Sequence, residues 1–277
     1  MQGTQELTVA WLRSSARPLF LAHVAAFAFI VEERMKPSLR GLDPFWTLAV
    51  LLAFPLGALL LVESRTNRGR IIGALGGLLA LAAPVGRWAV GERDSFIVHP
   101  DWLVVPTVGA AVIVAIGAFL DLDREKWGLG LGDWRWWGPR AGALGLAIIP
   151  FVLVSSAVFP DLLAYYPSKN ARGTADVFVL AMLGRGLYFV AWEWFFRGFL
   201  VFGLAPAVGV PGAVGIQAYP FLLLHRSKPI SEMSTSFSGA LLLGAFCWRA
   251  RSVVPAILLH WWMNVSMELL GWLNSSA

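Results

Sequence analysis

The sequence predicts an all-α fold, a polytopic membrane helix bundle of eight or nine transmembrane helices, and three observations carry that reading. Only 14% of the 277 residues are charged and 57% are hydrophobic, whereas an ordinary soluble domain carries about 25% charged residues. Apolar runs near the length a bilayer span needs, about 20 residues, recur along the whole chain, and the mean hydropathy is +0.67. The chain also holds 14 Trp, many beside charged loops, where an interfacial aromatic belt places them.

Taken in order, the spans are 44–63, 70–90, 102–120, 141–159, 176–203, 208–225, 234–248 and 252–273, with a shorter opening run at 18–33. Prolines inside several runs (Pro55, Pro84, Pro106, Pro150) are tolerated in membrane helices when neighbours satisfy the freed backbone groups. The last three spans are short, which suits helices packed inside a bundle around a polar cavity. Residues 121–140, DLDREKWGLGLGDWRWWGPR, alternate Trp with charge and read as a segment at the bilayer surface. Two regions of one integral membrane domain follow: N-terminal membrane helices with the surface segment over 1–160, and a core over 176–270 that holds nearly all the intramembrane polar groups.

The formal charge of +5 and pI near 9.8 do not point to nucleic acid, because the basic residues sit in short loops rather than in one stripe. One loop set carries nine of them: Arg65, Arg68, Arg70, Arg124, Lys126, Arg135, Arg140, Arg249 and Arg251. The other carries eight: Arg34, Lys36, Arg40, Arg93, Lys169, Arg172, Arg226 and Lys228. The first set is assigned to the cytoplasm. A single cysteine, Cys247, excludes an internal disulfide framework.

The candidate site comes from polar residues that have no business in hydrocarbon. Within AWEWFFRGFL, Glu193 and Arg197 stand four apart, on one helix face. Each ionised group costs roughly 2.5–3.5 kcal/mol at a bilayer centre on insertion scales, so the pair serves packing or chemistry. His225 closes the run QAYPFLLLH, four after Phe221, and His260 and Asn264 stand four apart in AILLHWWMN. Two chemistries fit these residues. In one, Glu193 and His225 activate water while His260 and Asn264 donate hydrogen bonds to an oxyanion. In the other, His225, His260 and a carboxylate bind Zn²⁺ with a position left open for water. No HExxH is present; the metal-free version is favoured, with no cofactor expected and zinc as the alternative.

These three motifs resemble those of the CPBP family of intramembrane proteases, the CAAX prenyl protease and Abi group with its Rce1-like members. That family carries EExxxR, then FxxxH, then HxxxN. The matches are Glu193 with Arg197, Phe221 with His225, and His260 with Asn264, in the same order. The resemblance covers about 176–270 and implies an intramembrane endopeptidase. Its substrate would be a membrane-tethered, lipid-modified or transmembrane peptide, and its setting the lipid bilayer. A bacterial branch implies the inner (cytoplasmic) membrane.

One position departs from the family. The first Glu of EExxxR, taken as the catalytic one, falls on Trp192, and an indole cannot activate water. Either Glu193 takes the role, or another carboxylate does, or the chain is a catalytically silent relative that binds peptide or acts as a scaffold. Glu232, seven residues past His225, is the candidate for the second reading. Its bland alternative is an acidic residue in the first turn of the next helix. A small transporter would require inverted repeats, and none is visible.

Overall fold

The computed structural model describes residues 20–32, 43–90, 100–226 and 228–275. His99 and the loop charges Arg34, Lys36, Arg40 and Arg93 lie outside them. All the regular structure among the described residues is helical. The helices are α1 (Phe20–Glu32), α2 (43–63), α3 (Asn67–Val90), α4 (Pro100–Asp121), α5 (Trp134–Val158), α6 (Pro160–Tyr165), α7 (Ala175–Glu193), α8 (Gly203–Leu223), α9 (Ile230–Ala250) and α10 (Val254–Ser275). Among the described residues each predicted hydrophobic run is therefore largely helical. Four stretches are long and apolar enough to cross a membrane by length and composition: Pro44–Glu63, Val104–Asp121, Trp134–Val158 and Ala175–Leu223. The last has 49 residues, about 74 Å at a helical rise of roughly 1.5 Å, more than twice a hydrocarbon core of about 30 Å. It breaks at Gly209, whose φ of 75° only glycine adopts without cost.

The chain divides into two compact units, Met1–Leu122 and Asp123–Ala277. In the first, α2 and α3 cross on glycine. A Cβ on Gly73 would stand 2.5 Å from the Gly57 carbonyl oxygen and 2.7 Å from Leu60 Cβ, and one on Gly57 would stand 2.7 Å from the Gly73 oxygen. Lipid supplies no hydrophobic drive between helices, so such close backbone contact carries the association. Gly73→Ala is expected to lower stability by about 1–3 kcal/mol through overpacking, read as a lower unfolding midpoint in detergent. The α2–α3 turn is tied to the end of α4 by Thr66 Oγ1 and Ser64 Oγ, which donate to Asp121 Oδ2 at 2.7 and 3.2 Å.

The second unit holds every candidate site residue. α5 opens at Asp133, whose carboxylate accepts the Trp136 N–H at 3.3 Å, and so begins inside the segment expected at the bilayer surface. Within that segment Trp127 and Trp137 are buried in protein and Trp134 is exposed. Loop 122–133 is bound to the α9–α10 turn: Val253 N–H donates to the Gly128 carbonyl at 3.1 Å and Ser252 Oγ to the Gly130 carbonyl at 2.6 Å. Indole N–H groups hold α10 to its neighbours. Trp261 donates to the Met182 carbonyl on α7 at 2.8 Å, and Trp262 to the Gly145 carbonyl on α5 at 2.9 Å. α5 leaves Leu146, Phe151, Leu153 and Val154 exposed, as a lipid-facing helix would. These features make the chain an integral membrane protein.

Candidate active site

α7 runs into a π-helical stretch, Trp194–Phe202, a deformation frequent at functional sites. Gly198 sits within it because the Trp194 ring leaves no room: a Cβ there would lie 2.6 Å from Trp194 Cδ1. Just before the widening, Glu193 keeps its four-residue relation to Arg197. Arg197 Nη1 donates to Glu193 Oε1 at 3.1 Å and lies 3.0 Å from Oε2. Both side chains are 0% exposed. Phe221, from α8, covers the cation, with the Arg197 guanidinium carbon 4.3 Å from its ring centre. The phenylalanine four before His225 therefore has a job of its own, since an aromatic face offsets part of the cost of a desolvated cation.

His260 reaches this pair from α10, 67 positions along the chain. Its Nδ1 lies 2.5 Å from Glu193 Oε1. A carboxylate only accepts, so Nδ1 carries the proton and Nε2 is the basic nitrogen of the neutral ring. His225 is fixed in the same sense by a different acceptor. Its Nδ1–H donates to the Phe221 carbonyl at 2.8 Å, again leaving Nε2 as the basic nitrogen. The two imidazoles stand 6.5 Å apart, centre to centre, with planes 23° from parallel. His225 is buried and His260 is 18% exposed. The walls are aromatic: Phe189 lies 4.2 Å from the His260 ring, and Phe221 lies 4.7 Å from His225 and 5.7 Å from His260. Charge-assisted hydrogen bonds gain strength in such surroundings.

Trp192 occupies the position where the resemblance expects a carboxylate. It is 2% exposed and packs against Tyr188, Phe196, Phe221 and His225, with ring centres 5.3, 5.1, 5.9 and 6.3 Å away. The indole is thus part of the wall beside the imidazoles. Asn264 is buried one helical turn beyond His260 on the same face.

Glu232 stands in a different group. Its Oε2 accepts the Tyr166 hydroxyl at 2.7 Å and its Oε1 lies 3.4 Å from Lys228 Nζ, which also donates to the Tyr166 oxygen at 3.2 Å. Burial, and next the Glu232 carboxylate, hold the Tyr166 phenol well above the usual tyrosine range. The stability from this raised value is fully present below the unfolded value of about 10 and is lost as pH rises through the folded one. An absorbance titration should show Tyr166 ionising only after the exposed tyrosines. The sequence reading missed Tyr166 and a second carboxylate, Glu268, whose Oε2 accepts the Ser168 N–H at 2.8 Å. Tyr166 lies in a loop, where spacing gives no signal. Glu268 carries one: it is the next four-residue step after His260 and Asn264.

Zinc with an open position takes three protein ligands. Among the described residues no group of three or more His, Cys, Asp and Glu is placed to hold a metal ion. The Glu193 oxygen nearest His260 already accepts from both Arg197 and that imidazole. The donor set as placed does not make a zinc centre.

Residues 174–266 match the family described as Type II CAAX prenyl endopeptidase Rce1-like. The C-terminal part of the chain is an Rce1-like domain. The matched segment of this domain runs from the start of α7 to just past Asn264 and takes in Glu193, Arg197, His225, Glu232, His260 and Asn264. No curated protein and no solved structure matches the chain.

Proposed function

We propose that the chain is a metal-free endopeptidase of the bacterial inner membrane that hydrolyses a peptide bond near the lipid-modified end of a membrane-tethered peptide. The single observation that carries the reading is the couple of Glu193 and His260, 2.5 Å apart, with Arg197 behind the carboxylate and His225 facing the imidazole. It supports a division of labour in which Glu193 orients and His260 reacts. Glu193 is sealed from solvent, whereas His260 is partly exposed.

In the proposed mechanism His260 Nε2 takes a proton from water as the water oxygen attacks the scissile carbonyl. His225 Nε2 accepts the water's other O–H and aims its lone pair. The charge formed on the imidazolium is met by Glu193, as the aspartate of a hydrolytic triad meets its histidine. Asn264 donates to the oxyanion. The imidazolium then protonates the leaving nitrogen, the C–N bond breaks, and the new carboxylic acid passes its remaining proton to the amine, so that a carboxylate and an ammonium leave. No carboxylate is needed at position 192, so Trp192 is compatible with turnover and shapes an apolar wall suited to a prenyl-bearing or otherwise hydrophobic peptide.

The test is turnover of a farnesylated CAAX peptide by the purified chain in nanodiscs. Wild type should cleave it, and His225→Ala and His260→Ala should bind it without cleaving. A wild-type chain that binds the peptide and never hydrolyses it sinks the proposal in favour of a silent peptide-binding relative. Glu232→Gln is expected to stay within a few-fold of wild type, because its amide oxygen can still accept from Tyr166. Loss of cleavage there would return the catalytic carboxylate to Glu232.

A further inference from the structure

We infer that Glu268 is a positioning residue for Asn264 and acts through a water held between the two side chains. α10 sets His260, Asn264 and Glu268 at successive four-residue steps, about 6 Å apart along the axis and on one face. Asn264 is 6% exposed and Glu268 0%. One Glu268 oxygen is accounted for by the Ser168 N–H at 2.8 Å. The other, Oε1, has no hydrogen-bond partner among the described residues, and neither have Asn264 Oδ1 and Ser168 Oγ. Two of these orphaned atoms belong to residues one turn apart on one face of α10, and the third is on the residue whose N–H holds Glu268. The family match ends before Glu268.

Buried polar atoms are paired with protein or with ordered water. Two acceptors cannot satisfy each other, but water supplies two O–H donors. The rise of about 6 Å between the two residues is roughly two hydrogen-bond lengths, a spacing that one bridging water spans. Ser168 Oγ, on the residue whose N–H already holds Glu268, supplies a third contact. A carboxamide whose Oδ1 is held towards Glu268 has its N–H donors turned towards His260. That is the side on which the oxyanion forms in the mechanism above. Each of the two α10 side chains used in that mechanism then has a carboxylate behind it: Glu193 touches His260 directly, and Glu268 reaches Asn264 through water.

The catalytic consequence rests on the hydrolytic reading; the water site does not. Glu268→Met is expected to lower kcat for the farnesylated peptide about 10-fold with KM unchanged. Glu268→Gln, which keeps an acceptor for Ser168 and a polar group for the water, should restore most of the loss. In an Asn264→Ala background Glu268→Met should cost nothing more. Losses that multiply would overturn the proposal, since a carboxylate that only braces the loop acts whatever stands at position 264. Should Glu268→Met fail to fold, the wild-type protein decides. An experimental structure that resolves ordered water is expected to show one within hydrogen-bond distance of both Asn264 Oδ1 and Glu268 Oε1. Any other side chain filling that place, or a dry contact, overturns the inference. Absence of turnover in wild type would remove the mechanism and leave this observation standing.

Discussion

His260→Ala is expected to lower kcat for CAAX-peptide hydrolysis by about 10³–10⁴-fold while leaving KM within a few-fold of wild type. The magnitude follows from what a positioned general base contributes, about 10²–10⁴-fold, plus the loss of the group that later protonates the leaving nitrogen. The split between kcat and KM follows from geometry. The wall proposed to take the hydrophobic part of the peptide is aromatic, built by Phe189, Trp192 and Phe221, and Trp192 packs on Phe221 without the imidazole. Glu193→Gln should come close to the same loss by another route. Arg197 Nη1 stands within 3.1 Å of both carboxylate oxygens and His260 Nδ1 uses one of them. A carboxamide can offer an acceptor at only one of its two atoms. Either its NH₂ faces the guanidinium, donor against donor, or it faces His260 and forces the wrong tautomer. A Glu193→Gln chain with full kcat would mean that the couple has no part in the reaction.

That couple marks the line between what sequence carries and what it does not. Glu193 with Arg197 is legible because four residues along a helix is a spatial statement, and the hydrocarbon around it makes two charges conspicuous. His260 with Asn264 is legible for the same reason, as are the helices themselves. The bond between Glu193 and His260 joins α7 to α10, and no periodicity on either helix reports it. In the mechanism proposed above it moves Glu193 from water activation to orientation of an imidazole. Register is harder to read where apolar and charged residues mix. α5 starts at Trp134, seven residues before the run that marks the span, because Asp133 caps it and Trp137 is buried despite its basic neighbours. The distance from His225 marks Glu232 as a candidate, and the loop that delivers Tyr166 to it has no signature in composition.

Arg197→Met is expected to lower stability by about 3–5 kcal/mol, the cost of leaving one charge of a buried pair without its partner. The guanidinium and the carboxylate are both 0% exposed, so neither can recover its loss from solvent. Met is close in length and apolar, so the packing against Phe221 survives and the penalty falls on Glu193. Adding Glu193→Gln removes the stranded charge. The double variant should therefore regain most of the stability, since a buried ion pair replaced by groups of similar volume is often neutral or better. The check is a double-mutant cycle from unfolding midpoints in one detergent, with cleavage assayed in parallel. A coupling of at least 2 kcal/mol or so is expected, at the upper end of what contacting residues show. Stability should return in the double variant and cleavage should not. On the proposed mechanism, the pair is kept at such a cost for what the carboxylate does to His260. If the cycle closes with no coupling, Glu193 and Arg197 are each satisfied by something else, and the charge held behind the imidazole is not the one drawn here.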